Sequence, residues 1–397
     1  MVFLKQCNIH ELISRLKQFL KARMTLVMEL FEDIAARKWH PCEIRQGSIL
    51  MVEPNAHHGE ILPGIFSCLE KAGWHVDLFI RHKNDKADPF CQCPKKPEIY
   101  PCSPFLMKRR LKRKEIGKYE YVFLTTDFFF ERGFVNKNYW DWLGFMPEGK
   151  CGTLIMLHRT DEANVKKIRN IMNDKVRVFS LREHPEIPML CPVFFGSRPL
   201  NRKPRKGPEP VRILIAGWKP PDVWKKFYQA ARAFLSVNPK ACRFYIVGRL
   251  YPPEIPEDLR KSMEFLFDLP FRDLYRLTSE MDYILAMLDP SSEEQRHYLN
   301  GVTSGIRQLS IGMNVPLIVE ERFAEEYGFT CQNAVIYREN MLDGLLKAIQ
   351  QDEQRYDRII EGLSLLANDI DLQSLSNFKE VMPASKRIKE NTKPMKG

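Results

Sequence analysis

The stretch GSILMVEPNAHHGEILPGIFSCLEKAGWHVDLFI, residues 47–80, decides the fold. Ser48 to Val52 is a short apolar run of the buried-strand type, and it breaks at Pro54 into a loop holding His57, His58, Gly59 and Glu60. Ile61, Ile65 and Leu69 then recur at helical spacing, Gly73 follows, and His75 to Ile80 reads as a second strand. The pattern returns in VRILIAGWKPPDVWKKFYQAARAFLSVNPKACRFYIV, residues 211–247. There Val211 to Ala216 is a strand, Gly217 and two prolines a loop, the segment through Phe234 an amphipathic helix, and Phe244 to Val247 a strand. Strands alternating with helices make parallel βαβ units. Two such units predict an α/β protein of two Rossmann-like, doubly wound parallel-sheet domains facing across a cleft, with ligand held at the strand C-termini.

Length and composition agree with that expectation. A chain of 397 residues can bury two separate cores, and 44% hydrophobic with 28% charged residues excludes a disordered or collagen-like class. No apolar run approaches the ~20 residues needed to span a bilayer. Lys5, His10, Glu11 and Arg15 interrupt any apolar N-terminal core, so no signal peptide is expected. The ten irregularly spaced cysteines read as reduced thiols in a cytoplasmic protein. Cys91, Cys93 and Cys102, with His82 upstream, match none of the common zinc-ligand spacings, and no metal site is expected.

The net charge of +11 is segmental. Residues 108–118 carry seven Lys/Arg against Glu115, the stretch 198–210 five against Glu209, and the tail from Lys386 five against Glu390. A nucleic-acid binder spreads a basic face over its folded surface, so no nucleic-acid partner is expected. Near the N-terminus Ile9, Leu12, Ile13, Leu16, Phe19 and Leu20 share a helical face, with Arg15, Lys17, Lys21 and Arg23 elsewhere. That helix either packs on the first domain or lies on an anionic membrane, where residues 108–118 would add salt-sensitive attraction.

The chain divides accordingly into a helical extension (1–45), a first domain (46–196), a Pro- and Lys/Arg-rich linker (197–210), a second domain (211–350), a closing helix (351–382) and a disordered basic tail (383–397). Further strands are expected at Tyr121 to Thr125, Gly152 to Leu157, Val176 to Leu181, Tyr283 to Leu288 and Pro316 to Val319, and a long helical stretch from Met341 to Leu366.

Neither a Walker-type loop nor G-x-G-x-x-G occurs, which argues against an NTPase or a dehydrogenase. The strongest phosphate-binding junction is Asn300-Gly301-Val302-Thr303-Ser304-Gly305, running into a helix from Ile306. Thr303 and Ser304 there either cap the helix or hydrogen-bond phosphate oxygens, and Gly305 permits close approach.

The order of these units resembles the GT-B glycosyltransferases, two-domain enzymes that transfer a sugar from a nucleotide donor held in the cleft. HHGEILPG (57–64) and GWHVDLFI (73–80) are similar to the acceptor side of bacterial polysaccharide and capsule glycosyltransferases. LYRLTSEMDYILAMLDP (274–290) and YLNGVTSGIRQLSIGMNVPLIV (298–319) look like the donor half, and YGFTCQNAVIYRENMLDGLLKAI (327–349) like its closing strand and helix. Many retaining members carry two glutamates separated by seven residues, the second holding the ribose; the matching positions here are Asn300 and Gln308. Amides can still hydrogen-bond hydroxyls but carry no charge, which marks a divergent branch, weakened donor binding or lost catalysis. The Arg and Lys that commonly face the diphosphate in the family are replaced here by Lys219 and Lys225 or Lys226 at shifted positions, with Arg249 a further candidate.

The resemblance implies a nucleotide-sugar donor as substrate, a UDP-sugar foremost, a glycan or lipid-linked acceptor, and no cofactor or catalytic metal. Glu60 and His58 stand where a base for the acceptor hydroxyl belongs. His158 and Asp161, after the strand Gly152 to Leu157, are second-rank candidates, as is Lys225. Two alternatives stay open: a nucleotide-sugar epimerase of the same fold, and a catalytically degenerate GT-B subunit that binds glycan.

Overall fold

The computed structural model describes residues 24, 27–35, 39, 44–45, 47–56, 58–129, 140–141, 151–193, 210–217, 219–248 and 254–382. A short helix, α1 (27–35), precedes the first sheet. That sheet takes its strands from β1 (Ile49–Glu53), β2 (Val76–Ile80), β3 (Glu98–Pro101), β4 (Tyr121–Leu124), β7 (Gly152–Leu157) and β8 (Val176–Ser180). A two-stranded antiparallel ribbon, β5 (Phe128–Phe129) and β6 (Trp140–Asp141), leaves the chain between β4 and β7. Among the described residues the α-helices between these strands are α2 (Leu62–Lys71), α3 (His82–Lys86), α4 (Pro104–Leu111) and α5 (Glu162–Arg169).

All pairings in the six-stranded sheet are parallel, in the order β3-β2-β1-β4-β7-β8, with Ile49 of β1 opposite both Val76 and Tyr121. Strands covered by helices on both faces bury every side chain, and all five residues of β1 and of β2 are buried. The order reverses between β1 and β4, so the loops leaving these two strands diverge and open a crevice at their carboxyl ends.

The second domain repeats the plan. Its strands are β9 (Val211–Ala216), β10 (Cys242–Gly248), β11 (Met263–Phe267), β12 (Tyr283–Leu285), β13 (Leu317–Glu320) and β14 (Ala334–Tyr337), and they form an all-parallel sheet in the order β11-β10-β9-β12-β13-β14. Its helices are α6 (Pro221–Val237), α7 (Phe271–Ser279), α8 (Gly305–Met313), α9 (Glu321–Tyr327) and α10 (Met341–Ile349). Pro221 opens α6 at a position where its missing N–H costs nothing, and the Asn340 side chain accepts the Asp343 N–H to start α10.

The long helix α11 (Glu353–Val381) ties the two halves together. Tyr356 and Ile359 at its start lie in the second domain's core, while Phe378 near its end stacks on Phe179 of β8 with centroids 5.6 Å apart. Between them Asp371 pairs with Lys71 of α2 at 2.6 Å. The helical stretch expected from Met341 to Leu366 is thus two helices. Asp352 accepts the Arg355 N–H and starts α11 afresh, which lets α10 stay in its own domain while α11 crosses to the other.

β3 and β11 are not expected from the sequence. Both are edge strands with mixed polarity (EIYP and MEFLF) and partial exposure, so neither shows the continuous apolar run of a central strand. Residues 1–23, most of the linker and the tail from residue 383 lie outside the described residues.

Candidate functional site

The crevice of the first sheet is lined by residues at the carboxyl ends of its strands and in the loops beyond them. Glu53 is the last residue of β1, His58 and Glu60 lie in the turn after it, Thr125 and Asp127 come after β4, and His158 after β7. The second domain covers them with the loop 301–304 and the N-terminus of α8. The two domains make direct backbone contact there: Thr160 donates its N–H to the Gly301 carbonyl at 2.9 Å, and Arg159 and Val302 form an antiparallel bridge. Gly301 has φ +88°, and a Cβ on it would stand 2.8 Å from the Asp161 nitrogen, so both conformation and space call for glycine. At α8 a Cβ on Gly305 would come 3.5 Å from Glu60 Oε1. The Glu60 carboxylate of one domain therefore sits against the helix N-terminus of the other.

His58 occupies the left-handed region, φ 67° and ψ 14°, which for a side chain with a Cβ is uncommon and strained. That conformation sets its ring 3.7 Å from Glu60 (Nδ1 to Oε1) and edge-to-face with His158, centroids 4.6 Å apart. The two imidazoles are opposite in character. Burial and the neighbouring His58 push His158 down to about 3, so it is neutral. Its Nε2 lies 3.0 Å from the Thr125 carbonyl, which can only accept, so Nε2 carries the proton. For His58 burial pulls the pKa down, but the hydrogen bond to Glu60 and the carboxylates of Glu60, Glu53 and Asp127 outweigh it, and the net shift is upward. Glu60 moves the other way: burial raises it, and its hydrogen bond and ion pair with His58 leave it below the ordinary value. The dyad is a carboxylate beside an imidazole of raised proton affinity, reached by solvent, with side chains 29% and 28% exposed.

Beneath it lie two acids that the sequence reading missed. Glu53 is fully buried; it accepts the Asn55 N–H at 2.8 Å and lies 2.7 Å from Thr125 Oγ1. The Thr125 hydroxyl also lies 3.1 Å from the Val52 carbonyl and has one proton for two acceptors. Burial pushes Glu53 up to about 7, against the hydrogen bonds it accepts from Thr125 and Asn55. Asp127 accepts the His158 N–H at 3.2 Å and the Asn164 side chain at 2.7 Å, and burial raises it as well. The signal was present in the sequence: Glu53 ends ILMVE and Asp127 ends YVFLTTD, each an acid terminating an apolar strand run.

Glu53 has a consequence for stability. Its folded pKa of about 7 lies above the unfolded value, so between roughly pH 4.5 and 7 the native chain binds more protons than the unfolded one, and stability falls as pH rises. The loss across that window is about 3 kcal/mol. Denaturant unfolding should record this slope in the wild type and a flatter one in Glu53→Gln.

The remaining sequence candidates differ in where the fold puts them. Thr303 and Ser304 join the crevice: Ser304 caps α8 through the Ile306 N–H, and Thr303 Oγ1 is buried with no partner among the described residues. Lys219, in the loop after β9, is buried, and its Nζ donates to the Ala216 carbonyl at 3.0 Å. Burial brings Lys219 down to about 8. Asp161 caps α5 by accepting the Asn164 N–H, with its backbone against Gly301.

Asn300 and Gln308 differ in exposure. Asn300 is exposed, while Gln308 is buried in α8 with Nε2 3.9 Å from Cys191 Sγ and Oε1 without a partner among the described residues. Lys225 is exposed on α6, whereas Lys226 pairs with Asp289 and Ser291. His57 and Arg249 lie outside the described residues. Among the described residues no group of three His, Cys, Asp or Glu side chains is placed to hold a metal ion.

No protein-family model and no curated protein matches the sequence. Solved structures do match. Alr3699/HepE from Anabaena, in complex with UDP and glucose, overlays with a TM-score of 0.51 and 12% identity, covering 84% of this chain and 99% of that one. AviGT4, a glycosyltransferase involved in avilamycin A biosynthesis, gives 0.49 and 11% over 85% and 98% of the two chains. MnaA from S. aureus with UDP gives 0.49 and 11% over 80% and 91%. At such identities the likeness concerns the fold. Two doubly wound parallel sheets meeting across one crevice, and overlaying on the Anabaena structure, give this chain the GT-B fold.

Proposed function

We propose that the protein is a metal-independent glycosyltransferase that moves a sugar from a nucleotide-sugar donor, a UDP-sugar foremost, to a hydroxyl of a polysaccharide or lipid-linked glycan. The observation that carries this reading is the convergence of His58 and Glu60 from one domain on the N-terminus of α8 from the other. His58 takes the proton of the attacking acceptor hydroxyl, and Glu60 stabilises the imidazolium that results. The neutral His158 holds the ring of His58 from the side without competing for that proton.

Donor binding draws on the second domain. The first backbone N–H groups of α8 point toward the crevice and favour an anion. Thr303 Oγ1 is a buried hydroxyl available to a phosphate oxygen. Lys219 is a buried ammonium whose one hydrogen-bond partner among the described residues is a carbonyl, so a diphosphate would relieve its desolvation. Together these groups stabilise the departing nucleoside diphosphate. A lipid-linked acceptor would bring the enzyme to an anionic membrane surface.

Thermal unfolding with UDP, GDP, CMP and their sugar conjugates tests the donor site. Ligand at about 100 times Kd stabilises by about 2.7 kcal/mol, and that gain should shrink in Lys219→Ala relative to its own ligand-free control. Release of nucleoside diphosphate that requires an acceptor then identifies a transferase. Conversion of the donor sugar without acceptor would identify an epimerase of the same fold. The burial of Gln308 against Cys191 favours one further reading, a GT-B subunit that binds glycan without catalysis. Absence of both activities with nucleotide binding lost would decide for it.

A further inference from the structure

Helix α1 has its polarity reversed relative to an ordinary surface helix. Its carboxylates face the protein. Glu29, only 3% exposed, pairs with Arg81 through both oxygens, at 3.0 Å to Nε and 2.7 Å to Nη2. Asp33 accepts the Ser103 N–H at 2.8 Å and the Ser103 hydroxyl at 2.6 Å, and lies 2.8 Å from His82 Nε2. Glu32 pairs with Lys86. The apolar side chains face outward instead: Val27, Met28 and Leu30 are exposed, Phe31 is 64% exposed and Ile34 77%, and Met24 is exposed one turn earlier. Surface helices normally bury that stripe and solvate the acids. A run of large exposed apolar side chains marks an interaction surface.

The adjoining helix supplies the charge. Ser103, which holds Asp33, is also the N-cap of α4. That helix exposes Phe105, and from it onward Arg109, Lys112, Arg113 and Lys114 are exposed. We infer that α1 and α4 form a docking surface for an anionic lipid membrane, with Phe31 and Ile34 entering the interface and the cations of 108–118 meeting lipid phosphates.

Two observations select lipid over a second copy of the chain. Each carboxylate of α1 has a basic partner in the first domain, Glu29 and Asp33 out of solvent and Glu32 with the exposed Lys86, so each is charge-compensated against an anionic surface. A two-fold contact through α1 would use the same patch of both copies and bring one basic helix toward the other. A lipid interface offers apolar depth and negative charge together. The inference uses none of the groups assigned to sugar transfer, so it does not depend on the proposed transfer reaction. Failure here would leave that reaction standing.

Co-sedimentation of the full chain with phosphatidylcholine vesicles, with and without phosphatidylglycerol, tests the inference. Binding should require phosphatidylglycerol and weaken with salt. It should fall roughly tenfold or more in Phe31→Ser/Ile34→Ser, whose positions are exposed and whose melting should match the wild type. Lys112→Gln/Arg113→Gln should lose part of the preference for anionic vesicles while keeping the fold. Equal binding to neutral vesicles, no binding at all, or binding unchanged in the apolar variant would each overturn the proposal. A dimer in sedimentation velocity that the apolar variant dissociates, without vesicle binding, would assign the surface to a second copy and overturn it too.

Discussion

Replacing His58 with alanine should lower kcat/KM for sugar transfer by about 10²–10⁴-fold, the usual contribution of a positioned general base. Nucleotide-induced stabilisation should persist in that variant, because the donor's phosphates are assigned to α8, Thr303 and Lys219. The pH profile gives the sharper reading. His58 must be neutral to accept a proton, and its neighbouring carboxylates hold its pKa above the ordinary 6.5. Activity should therefore rise with pH through that raised value and then level off. Glu60→Gln removes the hydrogen bond and the charge that raise it, so the rising limb should move to lower pH while the plateau drops. A limb that stays in place in Glu60→Gln would separate Glu60 from the base and sink the dyad. Since His58 adopts a left-handed backbone conformation, a part of any loss of fold in His58→Ala is separable by His58→Asn, a residue type that tolerates the same φ.

The second large effect concerns stability. Glu29→Ala should destabilise the first domain by about 3–5 kcal/mol in urea unfolding, because the buried Arg81 guanidinium would lose the carboxylate that accepts from both its Nε and its Nη2. Replacing both members, as Glu29→Leu with Arg81→Met, should recover most of that loss, since an apolar pair of similar volume avoids the desolvation of both ions. If the double variant is as unstable as the single one, the pair's role is specific geometry rather than mutual charge compensation. The same pair also orients α1. Its loss should weaken vesicle binding even though neither residue would touch lipid, which links the buried network to the outer surface it supports.

Both effects depend on residues that are distant in sequence. Glu29 lies 52 positions from Arg81, and Glu60 meets Gly305 across much of the chain. Neither meeting could be read locally. The strands could. ILMVE, VDLFI and VRILIA are apolar runs bounded by loop residues, and a parallel strand covered on both faces has that composition. Strand edges escaped the same reading, since Glu98–Pro101 and Met263–Phe267 are partly solvated and their polarity is mixed.

The site was legible in part for the same reason. His58, Glu60, His158 and the run Thr303 to Gly305 stand in loops after strands or before a helix, where a doubly wound sheet places its ligands, and chain pattern alone points to such loops. Their pairing was not legible. Which strand lies beside which is set by the crossovers, and the order β3-β2-β1-β4-β7-β8 is what brings Glu53, Asp127 and His158 into one crevice. Asn300 and Gln308 show the converse. The family resemblance matches them to a pair of glutamates, and in the fold the turn at Gly301 and the start of α8 leave Asn300 exposed and Gln308 packed on Cys191. Helix α1 separates the two kinds of information most cleanly. Its amphipathic pattern says that one face is apolar, and only the positions of Arg81, His82 and Ser103 on the folded sheet make the acidic face the buried one. Periodicity fixes which residues share a face; the partners that wait on the neighbouring element decide which face turns inward.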